Sequence, residues 1–135
     1  SDPLRKARER AWIEFASELL GIQYALCTAE TGDATQEQRK ELFETMSRLE
    51  TELGKGPYFG GTAFPLVDTS FAPLFVRLKL FKKIWNADEW KSMPRVRGWA
   101  EALLELPAVR DSVKASFAED FRAYMREHGN VSLFD

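Results

Sequence analysis

Apolar residues recur at three- and four-residue spacing over the first part of the chain, the pattern of an amphipathic helix. No Gly or Pro interrupts the stretch between Pro3 and Gly21. Asp2 is a suitable N-cap and Pro3 a suitable first helical residue. The pattern predicts a first helix from Pro3 to about Leu26. Its apolar stripe consists of Leu4, Ala7, Ala11, Trp12, Phe15, Ala16, Leu19, Leu20 and Ile22.

A second stripe follows a polar turn at residues 31–35. Thr35 with Gln38 fits a capping box, in which the two side chains satisfy free N–H groups at a helix start. We expect this helix to end at Gly54, where the following residues, up to Pro57, form a turn signal. The stripe consists of Leu42, Phe43, Met46, Leu49 and Leu53.

The residues from 66 to about 81 are apolar almost all round, which predicts a central, buried helix. Pro65 is suited to open it. Pro73 falls inside it, where a proline removes one backbone hydrogen bond and kinks the axis, at a cost of about 3 kcal/mol if nothing compensates.

The remaining chain predicts shorter helices. Residues 85–90 form a connector, Pro94 opens a helix, and Pro107 ends that helix and opens another. A last helix runs from about 118 to 128 and stops at Gly129. With no sustained alternating strand pattern and no repeat, the sequence predicts an all-α bundle of five to seven helices in one domain.

Composition limits the classes of function. The 135 residues carry 19 Lys and Arg against 21 Asp and Glu, a net charge of −2, which argues against a nucleic-acid binder. The longest apolar run, residues 71–76, is too short for a membrane span. A single cysteine and a single histidine exclude a disulfide framework and a multi-ligand zinc site. We expect a soluble, cytoplasmic protein without a metal.

Asp68 is the first candidate for chemistry, because apolar neighbours on both sides predict that it is buried. A buried carboxylate must be satisfied, and free N–H groups at a helix start are suitable partners. It is either a catalytic acid or a structural helix cap. The cap is favoured, because no second acid or histidine accompanies it.

The other candidates favour structural interpretations. Cys27 is either a nucleophile or a small, partly buried apolar residue, and no base nearby in the sequence supports the nucleophile. His128 suits the C-terminus of the last helix. The basic residues between 5 and 10 form either an anion site or a solvated face. Phosphate loops, nucleophile elbows and paired carboxylate motifs do not occur in the sequence.

Several motifs, in order, cover nearly the whole chain. They are Asp2-Pro3-x-x-Lys6-Ala7-x-x-Arg10-x-Trp12-Ile13, the turn Tyr58-Phe59-Gly60-Gly61, the Asp68 helix with Pro73 in its middle, and Pro94-x-Val96-x-x-Trp99 followed by Pro107-x-Val109-Arg110. Together they resemble the C-terminal helical domain of the cytosolic glutathione transferases, and omega-like members most closely. The resemblance assigns residues 1–135 to that domain.

The resemblance implies an enzyme whose glutathione site lies elsewhere. In the family, an N-terminal thioredoxin-like domain binds glutathione and supplies the Ser, Tyr or Cys that works on its thiol. This chain begins at the first helix of the second domain and without Met, which favours an excised domain or a degradation product over a natural half-protein. Alone it is expected to be inactive; the full-length protein is expected to be a homodimer that pairs through the first two helices.

The resemblance also implies a pocket for a hydrophobic electrophile or a disulfide substrate. The residues that correspond to omega-like pocket positions are Leu20, Gln23, Tyr24, Cys27, Leu74, Arg77, Phe117 and Tyr124. Independently of the family, positions 20, 23, 24 and 27 share one helical face by spacing. Such residues suit an apolar co-substrate, and the guanidinium suits an anionic tail. The alternative is that this face is ordinary core, or a patch left exposed by the absent domain.

One position departs from the family pattern. Pro65 stands where the family has Ser or Thr for a capping box with Asp68, and proline has neither the hydroxyl nor the N–H. Asp68 is therefore expected to find another donor, such as the N–H of Ser70 or Phe71 if it acts as the N-cap itself. Two other functions remain open: a non-catalytic transferase-like binding or assembly module, and an independent helical scaffold.

Overall fold

A computed structural model describes residues 3–53 and 66–134, and over these two ranges the chain is helical and contains no strand. The α-helices in these ranges are α1 (Pro3–Cys27), α2 (Gly32–Glu50), α3 (Leu66–Leu80), α4 (Lys82–Trp85), α5 (Pro94–Glu105), α6 (Pro107–Asp111) and α7 (Phe117–His128). Short 3-10 helices span Asp88–Ser92 and Val131–Phe134. The all-α prediction is confirmed. None of these helices is both long and apolar enough to cross a membrane.

Helix α3 lies at the centre of the bundle, in contact with α1, α4 and α5. Trp99 of α5 packs edge-on against Phe71 and Phe75, with ring centroids 4.9 and 5.3 Å away. Pro73 lies on the exposed side of α3, which continues past it to Leu80. The prediction of a central, buried helix is confirmed for all but this exposed side. The largest fully buried side chains are Trp99, Phe71, Phe75, Phe81, Leu19, Leu26, Leu42, Met46, Leu49, Leu74, Leu78 and Ile84.

The start and end of α2 differ from the prediction. The N-cap is Thr31, whose hydroxyl oxygen accepts the N–H of Ala34 at 3.0 Å. Thr35 lies inside the helix and donates its own hydroxyl to the Thr31 carbonyl at 2.8 Å, so the capping box at Thr35 is wrong. The helix ends at Glu50, yet Leu53 is still buried, so the apolar stripe extends beyond the helix.

The predicted connector at residues 85–90 is partly helical. It contains the end of α4 and the start of the first 3-10 helix. The indole of Trp90 donates to the Ile84 carbonyl at 2.8 Å, and the Arg97 guanidinium lies 3.7 Å from the ring centre of Trp85. These contacts stabilise the folded segment, although its sequence has no periodic apolar pattern. The Asp2 cap, the turns at residues 54–61 and the role of Pro65 lie outside the described ranges.

Candidate functional site

A cleft of about 380 Å³ opens between the second half of α1, the C-terminal end of α3, and α7. Four lining residues come from one face of α1, because residues three and four apart lie one above the other on a helix. The cleft brings together six of the eight predicted pocket residues: Leu20, Gln23, Tyr24, Cys27, Arg77 and Tyr124. It is completed by Thr28, Phe121, Met125, His128 and Gly129.

Gln23 is a buried polar residue of the cleft wall, with 2% of its surface exposed. Its amide nitrogen donates to the main-chain carbonyl of Leu74 at 3.0 Å. A carbonyl can only accept, so this bond fixes which way the amide faces. Gln23 thereby joins α1 to α3 beside the cleft.

Cys27 lies in the same wall, with 9% of its surface exposed. Burial raises the pKa of its thiol from 9.0 to about 11, although the positive charge of Arg77 acts in the opposite direction. The thiolate is the reactive form, so this cysteine is mostly unreactive at neutral pH. The geometry supports the interpretation of Cys27 as a small buried residue that shapes the cleft.

Helix α7 supplies the opposite wall. Phe121, Tyr124, Met125 and His128 are three, four and seven residues apart and so share one face. The rings of Tyr124 and His128 lie 4.9 Å apart, centre to centre. Sequence reasoning selected only Tyr124 for this wall, although the same spacing argument that grouped the α1 residues would have found the other three.

Two predicted pocket residues do not line the cleft. The side chain of Leu74 is fully buried in the core, and only its carbonyl reaches the cleft wall through Gln23. Phe117 lines a second cavity, of about 460 Å³, beside Pro73 and Val109. Its ring is stacked on Phe121 at 5.5 Å, so it supports the α7 wall from behind. A pocket role for Leu74 and Phe117 stays a prediction, while α7 presents Phe121 and α3 presents Arg77 to this cleft.

Asp68 is fully buried, as expected. One carboxylate oxygen accepts the indole N–H of Trp99 at 2.6 Å. Helix α3 already begins at Leu66, so Asp68 lies in its first turn and not at the position before it. It is therefore not the N-cap itself, while a capping role for its carboxylate stays a prediction.

The cleft has the chemistry of a binding site. It offers aromatic and aliphatic surface, one buried amide and one guanidinium, but no nucleophile with an adjacent base in the described part of the chain. In residues 3–53 and 66–134, no three His, Cys, Asp or Glu side chains are grouped so that they could hold a metal ion.

Comparison with known proteins identifies the family. The sequence profile described as "Glutathione S-transferase, C-terminal domain" matches residues 32–102, more than half of the chain. The chain belongs to the glutathione S-transferase C-terminal domain family. Glutathione S-transferase U26 of Arabidopsis thaliana is 31% identical to this transferase domain over 122 residues, which cover 90% of this chain and 54% of the relative.

Solved structures show the same fold. A tau class glutathione S-transferase from mango, Mangifera indica, superimposes with a TM-score of 0.75 at 20% identity, over 93% of this chain and 60% of the other. Glutathione transferase Omega 3C from Trametes versicolor gives 0.71 at 24% identity, over 81% and 49%. The transferase domain described here spans about half the length of the curated relatives it matches.

Proposed function

We propose that this transferase domain forms the wall of a pocket that holds a hydrophobic electrophile or disulfide in a glutathione transferase-like enzyme. The observation that carries the proposal is the cleft itself, which is lined by aromatic side chains of α1 and α7 together with one cation of α3. Its volume lies within the range of small-molecule sites, roughly 300–1,000 Å³. Holding the electrophile next to a thiolate raises its effective concentration there.

In this proposal the domain orients the co-substrate and does no bond chemistry. The high pKa of Cys27 leaves the cleft without a thiolate at neutral pH, so the reacting sulfur has to come from glutathione. Glutathione is the co-substrate, held mainly by a thioredoxin-like domain that these 135 residues do not contain. A homodimer that pairs through α1 and α2 stays a prediction of the resemblance.

The test measures KM for the electrophile and KM for glutathione separately. It uses the protein encoded by the complete reading frame that contains this chain. Replacing Tyr24→Ala removes an exposed ring from the cleft, and replacing Tyr24→Phe keeps the ring. With chlorodinitrobenzene as the electrophile, we expect the alanine variant to raise KM for the electrophile roughly two- to tenfold, the value of an aromatic contact. KM for glutathione should stay unchanged, and the phenylalanine variant should behave as wild type.

Two results would overturn the proposal. One is an unchanged electrophile KM in the Tyr24→Ala variant, which would mean that the cleft does not hold this substrate. The other is turnover by the 135-residue chain alone, or its retention on immobilised glutathione. A full-length product that binds glutathione analogues but conjugates nothing would favour the alternative, a non-catalytic binding or assembly module.

A further inference from the structure

The charges that line the cleft are of one sign. Among its lining residues the ionised side chain is Arg77, with His128 as a second, titratable base, and no Asp or Glu of the described ranges lines it. The Nε2 atom of His128 lies 3.6 Å from the carboxylate of Glu127, a residue that does not line the cleft. Arg77 therefore dominates the electrostatics of the cleft.

Arg77 is half-buried and has no carboxylate within ion-pair distance anywhere in residues 3–53 and 66–134. Two other half-buried arginines of the domain are paired with carboxylates: Arg39 with Glu89, and Arg97 with Glu101 at 2.8 Å. Partial burial of a cation costs free energy, and a partner anion offsets that cost. A ligand that brings an anion to Arg77 would form the ion pair that Arg39 and Arg97 already have within the chain, and the free energy of that pair would add to its affinity.

The other residues of the cleft indicate what kind of body the ligand has. Tyr24 and Tyr124, 71% and 60% exposed, line it together with Phe121 and Met125, which favours a flat aromatic or apolar body. The guanidinium is a planar fork whose N–H groups match the two oxygens of a carboxylate. The cation and the aromatic rings lie on the same cleft, so one small molecule can contact both.

Building on the function proposed above, we infer that the cleft selects an apolar or aromatic co-substrate that carries a carboxylate, with Arg77 as the residue that determines this specificity. The guanidinium pairs with the carboxylate, while the ring lies between the aromatic side chains of α1 and α7. Neutral electrophiles of the same shape enter the cleft with lower affinity, because they leave Arg77 without an anion.

The experiment compares two probes of one shape, naphthalene carboxylate and naphthalene carboxamide, by titration calorimetry with the 135-residue chain. We expect the carboxylate to bind about tenfold more tightly than the amide, the factor that one charge-assisted hydrogen bond supplies. Arg77→Gln should remove this preference, because it weakens carboxylate binding much more than amide binding. Arg77→Lys should keep part of it, because the charge remains and the fork is lost. Raising the salt concentration should reduce the preference in wild type.

The control is Lys79→Gln, which removes an exposed cation of the same helix from outside the cleft. It should change neither affinity, and thermal unfolding of all three variants verifies that they fold. Equal binding of both probes to wild type, or an equal loss of both in Arg77→Gln, would overturn the inference and leave the proposed pocket intact. Failure of both probes to bind would overturn the pocket as well.

Discussion

At the scale of single residues, the hydrogen bond between Asp68 and Trp99 has the clearest consequence for stability. Asp68 is fully buried, so the solvation that its carboxylate loses must be replaced by donors of the protein. We predict that Asp68→Ala lowers the free energy of unfolding by about 1–3 kcal/mol, since it strands the indole N–H and removes a carboxylate from the first turn of α3. Urea unfolding measures this.

Asp33 provides the matched control, because it also lies in the first turn of a helix, α2, but is exposed. Asp33→Ala should change stability by no more than about 0.5 kcal/mol. A double-mutant cycle with Trp99→Phe separates the hydrogen bond from the packing of the ring. If Asp68→Ala cost no more than Asp33→Ala, the buried carboxylate would have no stabilising role.

At the scale of elements, a side chain of α2 caps the start of α5. The Glu50 carboxylate accepts the N–H groups of Arg95 and Val96, at 3.1 and 2.9 Å. The first N–H groups of a helix have no partner within it, and an anion there also interacts favourably with the helix dipole. We predict that Glu50→Ala destabilises the domain by about 1 kcal/mol, which denaturant unfolding would detect.

Glu52→Ala removes a carboxylate two residues further along, from an exposed side chain, and should cost less than about 0.5 kcal/mol. Equal effects of the two substitutions would mean that the loss reflects net charge and not capping. Restoring part of the stability with Glu50→Gln, whose amide oxygen can still accept an N–H, would identify hydrogen bonding as the main contribution.

The elements that depend on local periodicity could be predicted, and those that depend on distant partners could not. Spacing alone predicts the α1 stripe and the shared face of positions 20 to 27. The prolines predict the starts of α5 and α6. The cap from Glu50 joins residues 45 and 46 positions apart, which no local pattern contains. The face that α7 turns to the cleft depends on the angle at which this helix packs. At the observed angle Phe121 lines the cleft, and Phe117 stacks on Phe121 outside the lining.

At the scale of the whole molecule, the segment that follows α7 joins the end of α1 to the start of α2. The Asn130 N–H donates to the Cys27 carbonyl at 2.7 Å, and its amide nitrogen donates to the Thr35 hydroxyl at 2.9 Å. Gly129, the preceding residue, packs so closely against Met125 and Cys27 that a Cβ atom would lie 2.6 Å from the Met125 sulfur and 2.9 Å from the Cys27 carbonyl oxygen. One end of the cleft is therefore fixed by contacts more than 90 residues apart in sequence.

The contact between Arg39 and Glu89 connects α2 to the 3-10 helix before α5 and makes stability dependent on pH. The guanidinium binds both carboxylate oxygens, and this hydrogen bonding lowers the pKa of Glu89 below its ordinary value of 4.5. The unfolded chain therefore takes up this proton at a higher pH than the folded one. The stabilisation is complete above about pH 4.5 and is lost as the pH falls through the lower, folded pKa.

We predict that Glu89→Gln is less stable than wild type at pH 7 by up to about 1 kcal/mol, a modest value because the side chain is 39% exposed and solvent screens the pair. The difference should shrink as the pH falls below about 4.5, since wild type then loses its own charge. Asp88→Asn is the control, as its exposed ion pair with Lys91 at 3.3 Å should contribute little. A Glu89→Gln deficit that stayed constant between pH 7 and pH 3 would mean that lost packing, and not the ion pair, destabilises the variant.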